Sequence, residues 1–186
     1  MKKLLSLLIL TGTLFAQANN VFTLNPSVNS AGMGNVGIAH ADVKNVFHNP
    51  AFAGLNKRHQ EISYVDWLPN LTDDMGYQSI LYTSDMGWSS EIFYFNYGTQ
   101  VEADQGGIII GDFESSSYRV SGGYGFGIGD WLFGARLNLY NHNFIDSFDV
   151  DMNYGFDLGA YKEFGNTSLG IVLKDVGGET KFLDQS

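Results

Sequence analysis

Residues 117–140 constrain the fold more than any other stretch of the chain. Read in steps of two, Tyr118, Val120, Gly122, Tyr124 and Phe126 alternate with Ser117, Arg119, Ser121, Gly123, Gly125 and Gly127, so one face is apolar and the other polar or empty. A tight turn at Gly127-Ile128-Gly129-Asp130 follows. Then Trp131, Phe133, Ala135, Leu137 and Leu139 alternate with Leu132, Gly134, Arg136, Asn138 and Tyr140. Each strand is roughly 11 residues long, against about 5–6 in soluble sheets and about 9–11 for a tilted strand that crosses a bilayer. The pattern predicts a transmembrane hairpin.

A soluble antiparallel sheet with one wet face shows the same alternation. Two features disfavour it here. The non-apolar face carries glycine and serine in place of lysine and glutamate, and aromatic residues flank the apolar face at both ends, as in membrane barrels. Arg119, Arg136, Asn138, Asn153 and Asp157 all fall on the face assigned to the lumen. On the lipid side a mid-bilayer arginine costs roughly 2–4 kcal/mol. Leu137→Arg is therefore expected to impair insertion, whereas Arg136→Leu, in a wide polar lumen, is expected to be tolerated.

With 186 residues, no cysteine and only 16% charged side chains, the chain is one domain at most, with no disulfide framework and no thiol chemistry. Met1-Lys2-Lys3, the apolar run 4–15 and Ala16-Gln17-Ala18 read as a signal peptide over 1–18, cleaved before Asn19. That run of about 12 residues is too short for the ~20 of a spanning helix. Loss of Lys2 and Lys3 moves the formal charge from −10 to −12, with 20 acidic against 8 basic side chains. No basic patch remains for a nucleic acid. Export to the cell outer membrane, with membrane lipid as the first partner, follows.

Residues 19–58 differ from the strands of 59–186. Gly32-x-Gly34-x-x-Gly37 matches the dinucleotide fingerprint on paper, but neither a preceding buried strand nor a βα alternation accompanies it. A packed plug, in which glycines permit close backbone approach, fits better, and no cofactor is expected. Pro50 forces Asn49 toward extended backbone, so Asn49 is expected to end a short helix or turn. His40 and His48 stand without zinc-type neighbours and read as solvated or capping; no metal is expected.

Seven strands are predicted, at about 60–68, 75–83, 88–97, 117–127, 131–140, 150–162 and 167–174. The second and third are apolar on both faces, so their orientation is undecided. Links after strands two, four and six are tight. Those after one, three (98–116) and five (141–149) are longer and polar, as in outer-membrane barrels with short periplasmic turns. An odd count leaves an edge unpaired in lipid, so the chain reads like the front half of a barrel.

The order of features resembles the PorV/PorQ proteins, within the wider set of FadL-like outer-membrane barrels. The resemblance rests on Ala31-Gly32-Met33-Gly34-Asn35-Val36-Gly37-Ile38-Ala39, on Asn49-Pro50-Ala51-Phe52-Ala53-Gly54-Leu55 and on Trp67-Leu68-Pro69. It extends through Gly111-Asp112-Phe113, Asp157-Leu158-Gly159 and the run from Gly170 to Gly177. It implies a barrel with roughly twice as many strands. It also implies a role in type IX-like protein secretion with machinery proteins as partners, or transport of hydrophobic small molecules as in FadL-like channels. Gly32, Gly34, Gly37, Asn49, Pro50 and Ala51 then read as architectural determinants of the plug. A structural or adhesive barrel, a truncated copy without function, or an oligomer that completes the barrel are the alternatives. A rim enzyme built from His142, Ser147, Asp146, Asp149 and Asp151 is disfavoured, since such a loop of carboxylates is more often solvated. No enzymatic activity is expected.

Overall fold

The computed structural model describes residues 21–70, 72, 74–104, 106–143 and 152–177. The leader and the 144–151 carboxylates lie outside them. The alternating residues form seven strands: β1 His59–Asp66, β2 Gly76–Thr83, β3 Trp88–Ala103, β4 Ile109–Ile128, β5 Trp131–Asn143, β6 Asn153–Phe164 and β7 Thr167–Val176. They pair in sequence order, β1 to β7, as one antiparallel meander. The sheet is not closed, and among the described residues β1 and β7 each pair on one side only. Two-residue turns join β4 to β5 and β6 to β7, opened by Gly129 (φ 58°) and Gly165 (φ 62°), where a side chain would be strained.

The expected loop 98–116 is a strand pair instead. Beyond a bulge between Asn96 and Thr99 the pairing of β3 with β4 resumes, from Thr99 opposite Glu114 to Ala103 opposite Ile109. Gly98 takes φ 74°, Asn96 accepts its N–H at 3.0 Å, and the Asp74 carboxylate accepts the Thr99 N–H at 2.7 Å. The bulge shifts the alternation in the sequence, which hides the continuing strand.

One face of the sheet is apolar and, among the described residues, bare. Ile62, Ile80, Ile92, Val120 and Leu139 stand opposite one another across β1–β5, and Ile62 is 82% exposed. This settles the two undecided strands: Ile80 and Ile92 are on the bare face, while Tyr77, Leu81, Phe93 and Phe95 are on the other.

The other face is covered by residues 21–56. Phe22 packs on Tyr77, Phe93 and Phe95; Val46 and Ala53 on Leu81; Ala51 and Phe52 on Tyr161. This segment holds one short α-helix, α1 (Val28–Gly32), and 3-10 turns at Val21–Thr23, Val43–Asn45 and Pro50–Leu55. Pro50–Leu55 lies in a lane of glycines, since Gly125, Gly134 and Gly159 are register partners on β4, β5 and β6. A side chain on Gly134 would overlap the Pro50 carbonyl, one on Gly159 the Asn49 side chain, one on Gly125 the Gly54 amide. One on Gly170 would overlap the Ile38 carbonyl. The sheet yields side chains so that backbone can lie against backbone.

Gly134→Leu is therefore expected to cost at least about 3 kcal/mol or to prevent folding. Gly122→Ala, on the bare face with open space around it, should change stability by no more than about 0.5 kcal/mol. Urea midpoints of the two variants check this, and equal midpoints would contradict the packed lane.

Candidate functional site

Strand parity carries four charged side chains to the covered face: Glu91 on β3, Arg119 on β4, Arg136 on β5 and Asp157 on β6. All four are at most 4% exposed. They form a ladder. Arg119 donates from Nε (2.8 Å) and Nη2 to Glu91 Oε1. Arg136 donates from Nε (2.9 Å) and Nη2 to Asp157 Oδ2, and its Nη1 lies 3.9 Å from Glu91 Oε2. Asp157 Oδ1 also accepts the Asp175 N–H at 2.8 Å.

The covering segment completes the ladder. The Phe22 carbonyl accepts from Arg119 Nη1, while Val46 (3.4 Å) and Phe47 (3.0 Å) accept from Arg136. The ring of Phe47 has Arg119 Cζ at 4.7 Å, Arg136 Cζ at 5.2 Å and Lys174 Nζ at 3.9 Å from its centroid. Three cations on one aromatic ring pin this turn to the sheet. Beside them Asn138 accepts from Ser121 Oγ at 2.7 Å. Asn153, directly opposite Tyr140, is half-buried at the same face.

The Asn-Pro-Ala box fixes the segment further along. Asn49 is extended (φ −141°, ψ 108°); as expected it ends a short turn, its N–H donating to Asn45 O at 3.0 Å, and it also caps the start of Pro50–Leu55, accepting the Ala51 N–H at 3.0 Å. Its Nδ2 donates to Ile38 O (2.9 Å) and Ala160 O (3.2 Å), so one side chain ties two parts of the segment to β6. Pro50 supplies the preset φ of a first helical position, and Ala51, fully buried, leaves no room for more than a methyl.

The three plug glycines part company. A side chain on Gly37 would overlap the His48 ring, so close approach holds there. Gly32 and Gly34 face open space, and Gly34 (φ 79°) turns the chain after α1. A five-residue helix thus ends at Gly32 and precedes the other two glycines, the reverse of a phosphate cradle, which precedes a helix. His48 is half-buried and not solvated, 2.9 Å from Asn25 Nδ2; His40 is exposed. Burial, with the Lys174 and Arg136 charges, pulls the His48 pKa down from 6.5 to about 4. His142 meets Ser117 Oγ at 2.7 Å, but Ser117 is 0% exposed, His142 is 5% exposed and the Phe22 ring lies tilted against the imidazole at 4.7 Å, so the pair is buried away from any substrate. Among the described residues no group of three or more His, Asp or Glu side chains is placed to hold a metal.

Parity over Trp88–Ala103 finds Glu91 only once the face of β3 is known, because Phe93 and Phe95 share it. Nothing in the sequence singles out Phe47 or Lys174 as ladder members. The arrangement is an anchor for the covering segment. Comparisons with protein-family models, with characterised proteins and with solved structures find no match.

Arg136→Leu, expected from sequence to be tolerated, would leave the buried Asp157 carboxylate without its guanidinium partner, while Glu91 keeps Arg119. It should cost about 3–5 kcal/mol in urea unfolding, and adding Asp157→Leu should recover part of the loss. A further outcome concerns pH. Neutral His48 holds its place above pH 6.5, and that stability is lost as pH falls toward about 4. Limited proteolysis at pH 4 should cut within 21–56 faster than at pH 7, and His48→Gln should flatten the difference.

Proposed function

We propose that this chain forms part of the wall of an outer-membrane β-barrel of the PorV/PorQ kind, with residues 21–56 fixed on its lumen face. In this reading it serves protein secretion or transport across that membrane and is not an enzyme. The bare face carries the reading. Among the described residues no element covers its isoleucines, leucines and aromatics across the seven strands, and the buried charges Glu91, Arg119, Arg136 and Asp157 lie on the opposite face. A water-exposed sheet places its charges the other way round.

The dimensions agree with a bilayer. From Tyr118 to Ile128 the outward residues of β4 rise ten positions, roughly 33 Å along the strand and about 25 Å at a barrel's tilt, the height of an apolar band. Tyr64, Tyr94 and Tyr118 share one transverse row, and Trp88, Phe126, Trp131 and Phe164 cluster toward the other end, as girdles do. Among the described residues no helix is long and apolar enough to cross a membrane, which bears only on helices. In lipid the edges of β1 and β7 require paired neighbours, so complementary strands belong to the proposal.

The lumen face favours a secretion-associated role over a hydrophobic conduit. The charge ladder, amides and serines share it with Tyr77, Leu81, Phe93 and Phe95, and the covering segment is packed on those side chains and bonded at Arg119, Arg136 and Asn49. Along these strands that segment stands where a hydrophobic passage would run.

Single cysteines at Asp104 and Asp130 test the topology on intact cells. The first should react with a membrane-impermeant maleimide and the second should not; labelling of Asp130→Cys would overturn the orientation. Leu137→Arg should lower the yield of membrane-inserted protein, by about 2–4 kcal/mol in a folding assay, far more than Asn143→Arg beyond the band. For function, loss of a surface-exported protein on deletion supports secretion, whereas loss of fatty-acid uptake alone would support the channel instead.

A further inference from the structure

One cavity is unused by the ladder and by the covering segment. It has a volume of about 420 Å³, within the range of ligand pockets, and lies where β3, β4 and β5 pass the Asn96–Thr99 bulge. Its lining is Tyr94, Asn96, Thr99, Asp112, Glu114 and Asn143, with Phe113 and two serines. By strand parity Tyr94, Asp112, Glu114 and Asn143 point to the bare side of the sheet, Tyr94 in the row of tyrosines and the other three beyond it.

The lining selects its ligand. Two carboxylates and two amides offer many acceptors and a few donors, which suits a molecule dense in hydroxyl groups. Tyr94 adds ring surface for the C–H face of a pyranose. An anion is disfavoured, because the chain from Val65 to Tyr118 contains no lysine or arginine. The cavity is also built and not incidental. The Asp74 carboxylate and the Asn96 amide hold the bulge that opens it, leaving Asp112 and Glu114 free of ion pairs among the described residues.

The geometry points to a saccharide-binding site at this cavity, for the uncharged sugar of an outer-leaflet glycolipid or a soluble oligosaccharide of the same chemistry. The choice of a lipid-linked source rests on the membrane reading above, since the cavity then sits in the headgroup layer. The sugar chemistry does not rest on it.

The test uses the full chain purified from membranes, with chitobiose as the soluble probe and nanodiscs of phosphatidylethanolamine with or without a diglucosyl diacylglycerol as the lipid probe. Calorimetry should show saturable binding of one or both sugars. Asp112→Asn with Glu114→Gln should weaken it at least about tenfold, while Asp130→Asn at the opposite end leaves it unchanged. Binding of the glycolipid nanodisc well above the plain one assigns the headgroup; binding of chitobiose alone keeps the site and assigns a soluble sugar. No binding of either probe, or equal binding by the double variant, overturns the site. Recovery of the chain only from the soluble fraction would defeat the barrel reading, and the chitobiose result would still decide the site.

Discussion

Two guanidinium groups that cannot leave the covered face govern the rest of the structure. Arg119 and Arg136 are 2% and 4% exposed, and a buried cation without partners costs several kcal/mol. Glu91 and Asp157 neutralise them, but a guanidinium has five N–H groups, and carboxylates from the neighbouring strands do not reach all of them. The remainder go to carbonyls of Phe22, Val46 and Phe47, which only a second layer of chain can supply. Residues 21–56 must therefore approach the sheet closely, and the glycines of β4, β5 and β6 make that approach possible.

Such a ladder is weak evidence for stability, since apolar replacements of buried ion pairs are often as stable. Its stronger consequence here is register. Arg136 stands directly opposite Asp157, and Ser121 opposite Asn138. A slip of one residue would move all of them to the bare face together with the glycine lane, and expose Leu137 and Leu139 to the covering segment. With apolar residues on both faces of β2 and β3, hydrophobicity alone would not forbid that slip. The charges do.

The sheet was legible in the sequence because period two survives in every strand whose faces differ, as Ser117–Tyr140 shows. What escaped was set by residues distant in sequence. The continuation of β3 past Tyr97 is hidden by a bulge that Asp74, 25 residues away from Thr99, holds in place. Phe47 looks like any aromatic in a short turn until β4, β5 and β7 bring Arg119, Arg136 and Lys174 around it. Asn49 was visible as a boundary through Pro50, yet its bond to Ala160 spans 111 positions. Arg136 lies buried under Val46 and Phe47, which its strand did not disclose for the same reason: local pattern gives the face of a residue and not what lies on it.

The two ends of the sheet differ as much as its two faces. The bulged hairpin end carries Asp66, Asp74, Glu102, Asp104, Asp112 and Glu114, with no lysine or arginine between Val65 and Tyr118, whereas at the end of the tight turns Lys57, Arg58 and Lys162 stand among Asp85, Asp130 and Glu163, with Arg58 paired to Asp85 and Lys162 to Asp130. Neither set is required by the ladder, which closes its charges internally. One end of the sheet is therefore acidic along β1–β4 and the other mixed in charge, so a cation or anion approaching the two ends meets different fields. The cavity between Asp112, Glu114 and Asn143 lies at the acidic end, where no lysine or arginine from Val65 to Tyr118 competes for a neutral, hydroxyl-rich ligand.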